Sequence, residues 1–399
     1  MRSLLQLLQF LQTHPQEGNL QAVSEQPIVV KHWIVAFVVG AITFLAFILL
    51  GHTPIIRALG MAASISAVTL ILQRFGMMLA IIGGLALALS PAFWSQTGGE
   101  DTKLAVLLAL TLLIALVVTA SFIWIGKITE QGLIAGVIVF SILFWVLVGT
   151  PRSLRVTTLL NTWLLYLLID VVINSNPRPD ALETAPPGRQ HTLGLLVLVL
   201  IGVLNEPLFV LLAPALIVGL YLSNLQLPRW YWGIIILVVI VGIRGLIAQY
   251  VATDWWLKSA ATLQAANFQI PYMVADGWRE ASRWIYLINL VRNQFTDVGI
   301  LLGLLGLSRM ARWYPTLGTT TLIAFGSYVL FGLVYFGKDS TVLLLPMIVI
   351  HVIWMTYGIY TIGQWLQKSL ANRSEASWLA AGAFTLLPLV LLGRIARVL

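Results

Sequence analysis

An all-α bundle of membrane-crossing helices is the fold class this sequence predicts, and three observations carry the prediction. First, the 399 residues are 59% hydrophobic and 10% charged, with a mean hydropathy of +0.93, and no water-soluble globule has enough interior to hide that much apolar surface. Second, the apolar runs approach the roughly 20 residues that a helix needs to cross a hydrocarbon core, and they lack the short alternation of a membrane β-barrel. Third, Lys and Arg stand singly at the ends of those runs, so the net charge of +8 reads as membrane topology and contact with anionic lipid. No nucleic-acid partner is expected from such scattered charge.

Residues 1–29 form an N-terminal segment. Met1–Gln26 mixes Gln, His and Glu into a modest apolar stretch without the hydrophobic region and cleavage site of a signal peptide, and Leu4–Leu11 suits an interfacial helix. A transmembrane module over 30–251 follows, with spans expected at Val30–Leu50, Ile56–Leu72, Met77–Trp94, Leu104–Ile125, Leu133–Gly149, Val156–Ile173, Leu193–Leu204, Pro207–Leu222 and Tyr231–Val251. Asn174–Thr192, rich in Pro and polar residues, reads as a linker. Leu193–Leu222 is too long for one straight helix, and Asn205-Glu206-Pro207 divides it into two short ones meeting at a polar break.

Residues 252–297 are different in kind. Trp255, Trp256, Trp278, Trp284 and Tyr286 alternate there with charges, as in amphipathic helices at a membrane surface, and this external aromatic loop suits a headgroup or a sugar face. An interfacial aromatic belt has the same composition. The second module, 298–399, holds spans expected at Val298–Met310, Thr319–Phe336, Thr341–Leu366 and Trp378–Leu392. Together the chain reads as roughly 11–13 spans.

With the N-terminus inside, Arg74, Arg229, Arg309, Arg312 and Lys368 fall on the cytoplasmic face, and Glu100, Asp101, Glu206, Asp254, Asp276, Glu280, Asp297 and Asp339 on the external face. The expected location is an integral, multi-pass position in the plasma membrane of a prokaryote. The absence of cysteine excludes disulfides, thiolate metal sites and cysteine nucleophiles. Neither a phosphate-cradling Gly-rich loop nor a zinc spacing nor a Ser-centred elbow is present, so no metal site is expected and no bound cofactor is implied.

Two places concentrate polar chemistry. In Ser90-Pro91-Ala92-Phe93-Trp94-Ser95-Gln96-Thr97-Gly98-Gly99-Glu100-Asp101, an aromatic pair, a Ser-Gln pair and adjacent carboxylates stand between two apolar runs, a platform for a polar headgroup at the water line. A carboxylate pair there also simply keeps a turn in water. Glu206 needs a partner if buried, and Arg244 in the next run is the candidate, since intramembrane charge is costly.

Arg57-Ala58-Leu59-Gly60, Gln73-Arg74-Phe75-Gly76 and the SPAFWSQ segment with Glu100 resemble the N-terminal half of the C-type (GT-C) membrane glycosyltransferases, in the branch similar to protein O-mannosyltransferases long known only as a domain of unknown function. Gly202-Val203-Leu204-Asn205-Glu206-Pro207, Asp254-Trp255-Trp256, Asn293-Gln294-Phe295 and Leu345-Pro346-Met347 follow in the same order, so the resemblance covers roughly residues 55–365. It implies a GT-C-like transferase that moves a sugar from a polyprenyl-phosphate carrier to an acceptor on the external face, with membrane lipid as partner. It also implies a catalytic carboxylate in the first external loop. Here only Gly51-His52-Thr53-Pro54-Ile55 stands between the first two spans, with no Asp or Glu. Glu100 and Asp101 are then the candidates for proton chemistry, ahead of His52, and whether a divalent metal assists them stays open. Lys338, beside Asp339, is the candidate for the carrier phosphate, with Arg292 and Arg283 assisting and Glu206, Arg244, Trp255 and Trp256 completing the substrate-binding set. The missing loop leaves two other readings: a catalytically silent scaffold or subunit of a membrane complex whose partner supplies the loop, and a transporter, whose only claim is the break at Glu206.

Overall fold

The computed structural model describes residues 29–97, 114–117, 119–120, 135–140, 154–175, 189–223, 225, 227–248, 273–274, 276–337, 340–369 and 375–395. Nearly all of these are helical, and the only β pairing among them is a single bridge, Met273 to Tyr335. The helices are α1 (Val29–Leu49), α2 (Ile55–Leu72), α3 (Met77–Ala88), α4 (Pro91–Trp94), α5 (Leu154–Asn174), α6 (Arg189–Asn205), α7 (Ala213–Leu222), α8 (Arg229–Leu246), α9 (Ala281–Trp313), α10 (Pro315–Val334), α11 (Ser340–Leu343), α12 (Leu345–Ser369), α13 (Glu375–Phe384) and α14 (Leu386–Ile395).

Proline sets many of their starts. Pro91 and Pro315 occupy the first turns of α4 and α10, and Pro54 and Pro228 stand just before α2 and α8, positions where the missing N–H costs nothing. Between α2 and α3 the chain reverses through the 3₁₀ turn Gln73–Phe75 and Gly76, whose φ of 127° only glycine adopts without strain.

Six helices among the described residues are long and apolar enough to cross a membrane: Arg57–Phe75, Val156–Asn174, Arg229–Leu246, Ala281–Trp313, Pro315–Val334 and Leu345–Ser369. Shorter apolar helices stand at Trp33–Leu49, Met77–Ala88, His191–Asn205, Pro207–Leu222 and Leu379–Ile395. The chain is a multi-pass membrane protein. Burial sorts the helices: 89% of the apolar window of α12 is buried inside the protein, against 22% for α8, so α12 is the axis of the bundle and α8 turns most of its apolar surface outward.

The tightest seam joins α9 to α12. A Cβ added to Gly306 would stand 1.7 Å from the Trp354 carbonyl oxygen, and one on Gly358 would stand 2.3 Å from that of Leu302. Small residues let the two backbones touch, which is how helices associate when lipid tails are as apolar as side chains.

Contacts between helix ends define two faces. Arg74 pairs with Asp170, Tyr231 donates to the Thr192 carbonyl at 2.7 Å, and Tyr357 packs on both Phe75 and Tyr314, so the basic residues Arg74, Arg229, Arg312 and Lys368 share one end. At the other end Gly51 meets Thr97, Ala92 meets Gln294, and Gly277 meets Leu333. That end also carries Glu206, Asp276 and Glu280.

Every expected span except 104–125 and 133–149 falls on described helical structure, Met77–Trp94 as α3 and the short α4 with a break at Leu89-Ser90, and those two lie mostly outside the described residues. The division expected at Asn205-Glu206-Pro207 is present: α6 ends at Asn205 and the 3₁₀ turn Pro207–Leu212 leads into α7. Two boundaries differ. Residues 281–297, assigned by sequence to the surface loop, are helical up to Phe295, and the backbone kinks at Thr296 before the helix that holds the following span, so α9 is two helices joined end to end. The last span is two short helices broken near Thr385, where Pro388 lacks the N–H that would bond back.

Candidate functional site

The SPAFWSQ segment is pinned from three sides. Its first residues open α4, whose exposed backbone donors need acceptors, and the Ala92 amide donates to Gln294 Oε1 at 2.7 Å. Gln294 itself is buried on α9, two residues before Thr296. The Trp94 ring lies 5.9 Å from that of Phe47 at the end of α1, and Thr97 touches Gly51. Inside the segment Ser90 Oγ donates to the Leu87 carbonyl and Gln96 Nε2 to the Ala92 carbonyl, at 2.7 and 3.3 Å. The chain therefore leaves Thr97 toward Glu100 and Asp101 from a fixed point on the Glu206 end.

Glu206 is 2% exposed, held in extended backbone between α6 and the 3₁₀ turn. Its neighbour Asn205 donates from Nδ2 to Thr157 Oγ1 of α5 at 2.7 Å. One turn along α5 stands buried Asn161, which faces the enclosed hydroxyl of Tyr328 from α10. Beneath the break, Val203, Phe209, Val210 and Val238 line a crevice of about 10 Å³, room for one water molecule, so the break is packed rather than open.

Arg244 does not reach Glu206. It lies on the exposed side of α8, and it is Gly242 and Gly245 that approach the break, against Val210 and Pro207. Arg292 is committed elsewhere: its guanidinium holds Asp297 with contacts of 2.8 and 3.0 Å, an exposed pair (55% and 66%) spanning the irregular turn at Thr296. His52 is exposed in the short turn between α1 and α2, with a φ of 47°. Glu100, Asp101, Trp255, Trp256, Lys338 and Asp339 lie outside the described residues. Among the described residues no group of three or more His, Asp or Glu side chains could hold a metal ion.

Arg283, 9% exposed on the first turn of α9, is the most enclosed cation described. Its Nη2 donates to the Gly332 carbonyl at 2.5 Å and to the Tyr335 carbonyl, both at the end of α10. Its charge stands 4.7 Å from the Tyr286 ring centre and 4.2 Å from that of Phe336.

At the opposite end lies a cluster that the sequence reading passed over. Asp170 of α5 accepts from Arg74, receives Asn174 Nδ2 at 3.1 Å and stands 3.7 Å from His191 Nε2, so one carboxylate ties the turn after α2 to α5 and α6. The available signal was a lone Asp inside the apolar run Val156–Ile173, a costly placement that requires a partner. Gln294 offered a weaker signal, one of two adjacent side-chain amides, Asn293 and Gln294, among the polar residues of 292–297.

No protein-family model, curated protein or solved structure matches this chain.

Proposed function

We propose that this protein is a membrane glycosyltransferase of the GT-C type, transferring a sugar from a polyprenyl-phosphate carrier to an acceptor at the Glu206 end of the bundle. The supporting observation is the Ala92–Gln294 bond, which joins two of the segments that carry the resemblance at the same end as the buried Glu206. In this reading Glu100 or Asp101, three and four residues beyond the anchored Thr97, takes the proton of the acceptor hydroxyl. The acceptor oxygen forms its bond to the anomeric carbon as the bond from that carbon to the phosphate oxygen breaks, and the carrier phosphate leaves with the electron pair. Lys338 faces the phosphate, a role open to a point charge. The external face of the plasma membrane of a prokaryote is the proposed setting.

The turn from Leu50 to Pro54 favours a second reading. Thr53 N bonds the Phe47 carbonyl at 3.1 Å, so α1 passes into α2 through a closed turn with no carboxylate where the family carries its catalytic loop. A silent relative would keep the bundle and lose turnover, and act as a subunit beside a partner that supplies the loop.

Purified protein in lipid nanodiscs, given a panel of polyprenyl-phosphate sugars, separates the two. Release of carrier phosphate that falls roughly 10²–10⁴-fold in Glu100→Gln or Asp101→Asn supports the transferase. Donor binding without transfer supports the silent relative. An outcome of neither binding nor transfer across the panel would sink the transferase and leave the silent relative.

A further inference from the structure

We propose that the corner formed by Met273, Val274, residues 276–286 and the end of α10 is a subsite for a sugar ring, with Asp276 accepting from hydroxyls and Arg283 donating to them. The corner is built, not incidental. Val274 N bonds the Val334 carbonyl at 2.7 Å beside the Met273–Tyr335 bridge, and Gly277 packs so closely on Leu333 and Phe336 that a Cβ there would fall 2.5 Å from the Leu333 carbonyl oxygen. The Phe336 ring that Gly277 touches is the ring beneath Arg283, so the turn bearing Asp276 and the guanidinium share one aromatic wall. Two polar atoms in this corner are enclosed without a hydrogen bond: Asp276 Oδ1 and Arg283 Nε. Each is a group whose burial is costly until something bonds to it.

The donor pattern decides what that something is. A phosphate or carboxylate takes two side-by-side N–H groups of a guanidinium, and both such pairs include Nη2 here. Arg283 spends Nη2 on the Gly332 and Tyr335 carbonyls, which breaks both forks and leaves single donors. An anion is further opposed by the carboxylate of Asp276. A neutral polyol is matched: one hydroxyl gives a proton to Asp276, another accepts one from Arg283, and the apolar C–H face of a pyranose lies on Trp278, half-exposed and two residues from Asp276. This assignment takes Arg283 away from the carrier phosphate and gives it to the sugar. It rests on the transferase reading for its biological meaning but not for its test.

The test uses free sugar and no lipid carrier. The full chain in nanodiscs is titrated with a panel of methyl hexopyranosides, binding is read by saturation-transfer NMR, and inorganic phosphate is added as a competitor. Saturable binding is expected, unaffected by phosphate and weakened roughly tenfold or more in Asp276→Asn. Trp278→Ala, at an exposed position, is the second variant and covers the case in which Asp276→Asn or Arg283→Gln fails to fold. No saturable glycoside, displacement by phosphate, or affinities within about twofold of the parent in both folded variants overturns the subsite. Loss of donor binding with glycoside binding intact counts against the transferase reading alone, and the reverse against this subsite alone.

Discussion

The backbone amide of Ala92 and the side-chain oxygen of Gln294 meet at 2.7 Å across 202 positions of sequence, and both are buried. This bond fixes the start of the SPAFWSQ segment against α9. Gln294→Leu keeps much of the volume but leaves a buried N–H without an acceptor, so it is expected to destabilise the protein by about 1–3 kcal/mol. Gln294→Glu keeps an acceptor and should cost less. Unfolding titrations in mixed micelles measure the difference, and equal losses from both would contradict the bond.

At the opposite end, Asp170 holds Arg74 and His191 in a half-buried setting. A double-mutant cycle of Arg74→Gln and Asp170→Asn is expected to give a coupling energy of about 1–2 kcal/mol, above an exposed pair and below a fully buried one. A coupling near zero would mean the helices are held by packing alone.

The α9–α12 seam makes a sharper contrast. Gly306→Ala forces a methyl onto the Trp354 carbonyl and is expected to cost about 3 kcal/mol or prevent folding, whereas Gly233→Ala meets nothing within 4 Å and should be neutral or mildly stabilising. Expression level and thermal stability of the two variants report this directly.

Thr296 sits inside α9 at φ 66°, ψ 176°, a region essentially reserved for glycine. Thr296→Gly is therefore expected to raise stability by about 1 kcal/mol or more, despite glycine's cost in a helix. A lower melting temperature in that variant would contradict the assigned backbone.

Much of the bundle was legible in the sequence because membrane burial imposes a length: apolar runs near 20 residues had to be helices, and Asn205-Glu206-Pro207 had to interrupt one. The start of α9 was not legible. Residues 281–295 set Arg283, Arg292 and three aromatic side chains among apolar ones, which reads as a surface helix, yet the periodicity also buries Arg283, Leu287, Leu290 and Gln294 on one face, and nothing in composition shows that a second helix follows directly at the Thr296 kink. Of the candidate site, Glu206 was legible as a polar break. Its expected partner Arg244 was not borne by the fold, because depth along a helix does not fix which way a side chain faces. The partners of Gln294 and Asp170 became visible only through contacts across 202 and 96 positions.

The account turns on which end of the bundle takes the lipid-linked sugar. Photocrosslinking with a polyprenyl-phosphate sugar that carries a photoreactive group near the phosphate, followed by peptide mapping, measures this directly. The expected labels fall in peptides containing Ser90–Gln96, Gly202–Phe209 or Asp276–Tyr286, and excess unlabelled donor removes them. Labelling confined to the Arg74, Asp170 and Lys368 end, or labelling that excess donor leaves unchanged, would contradict it.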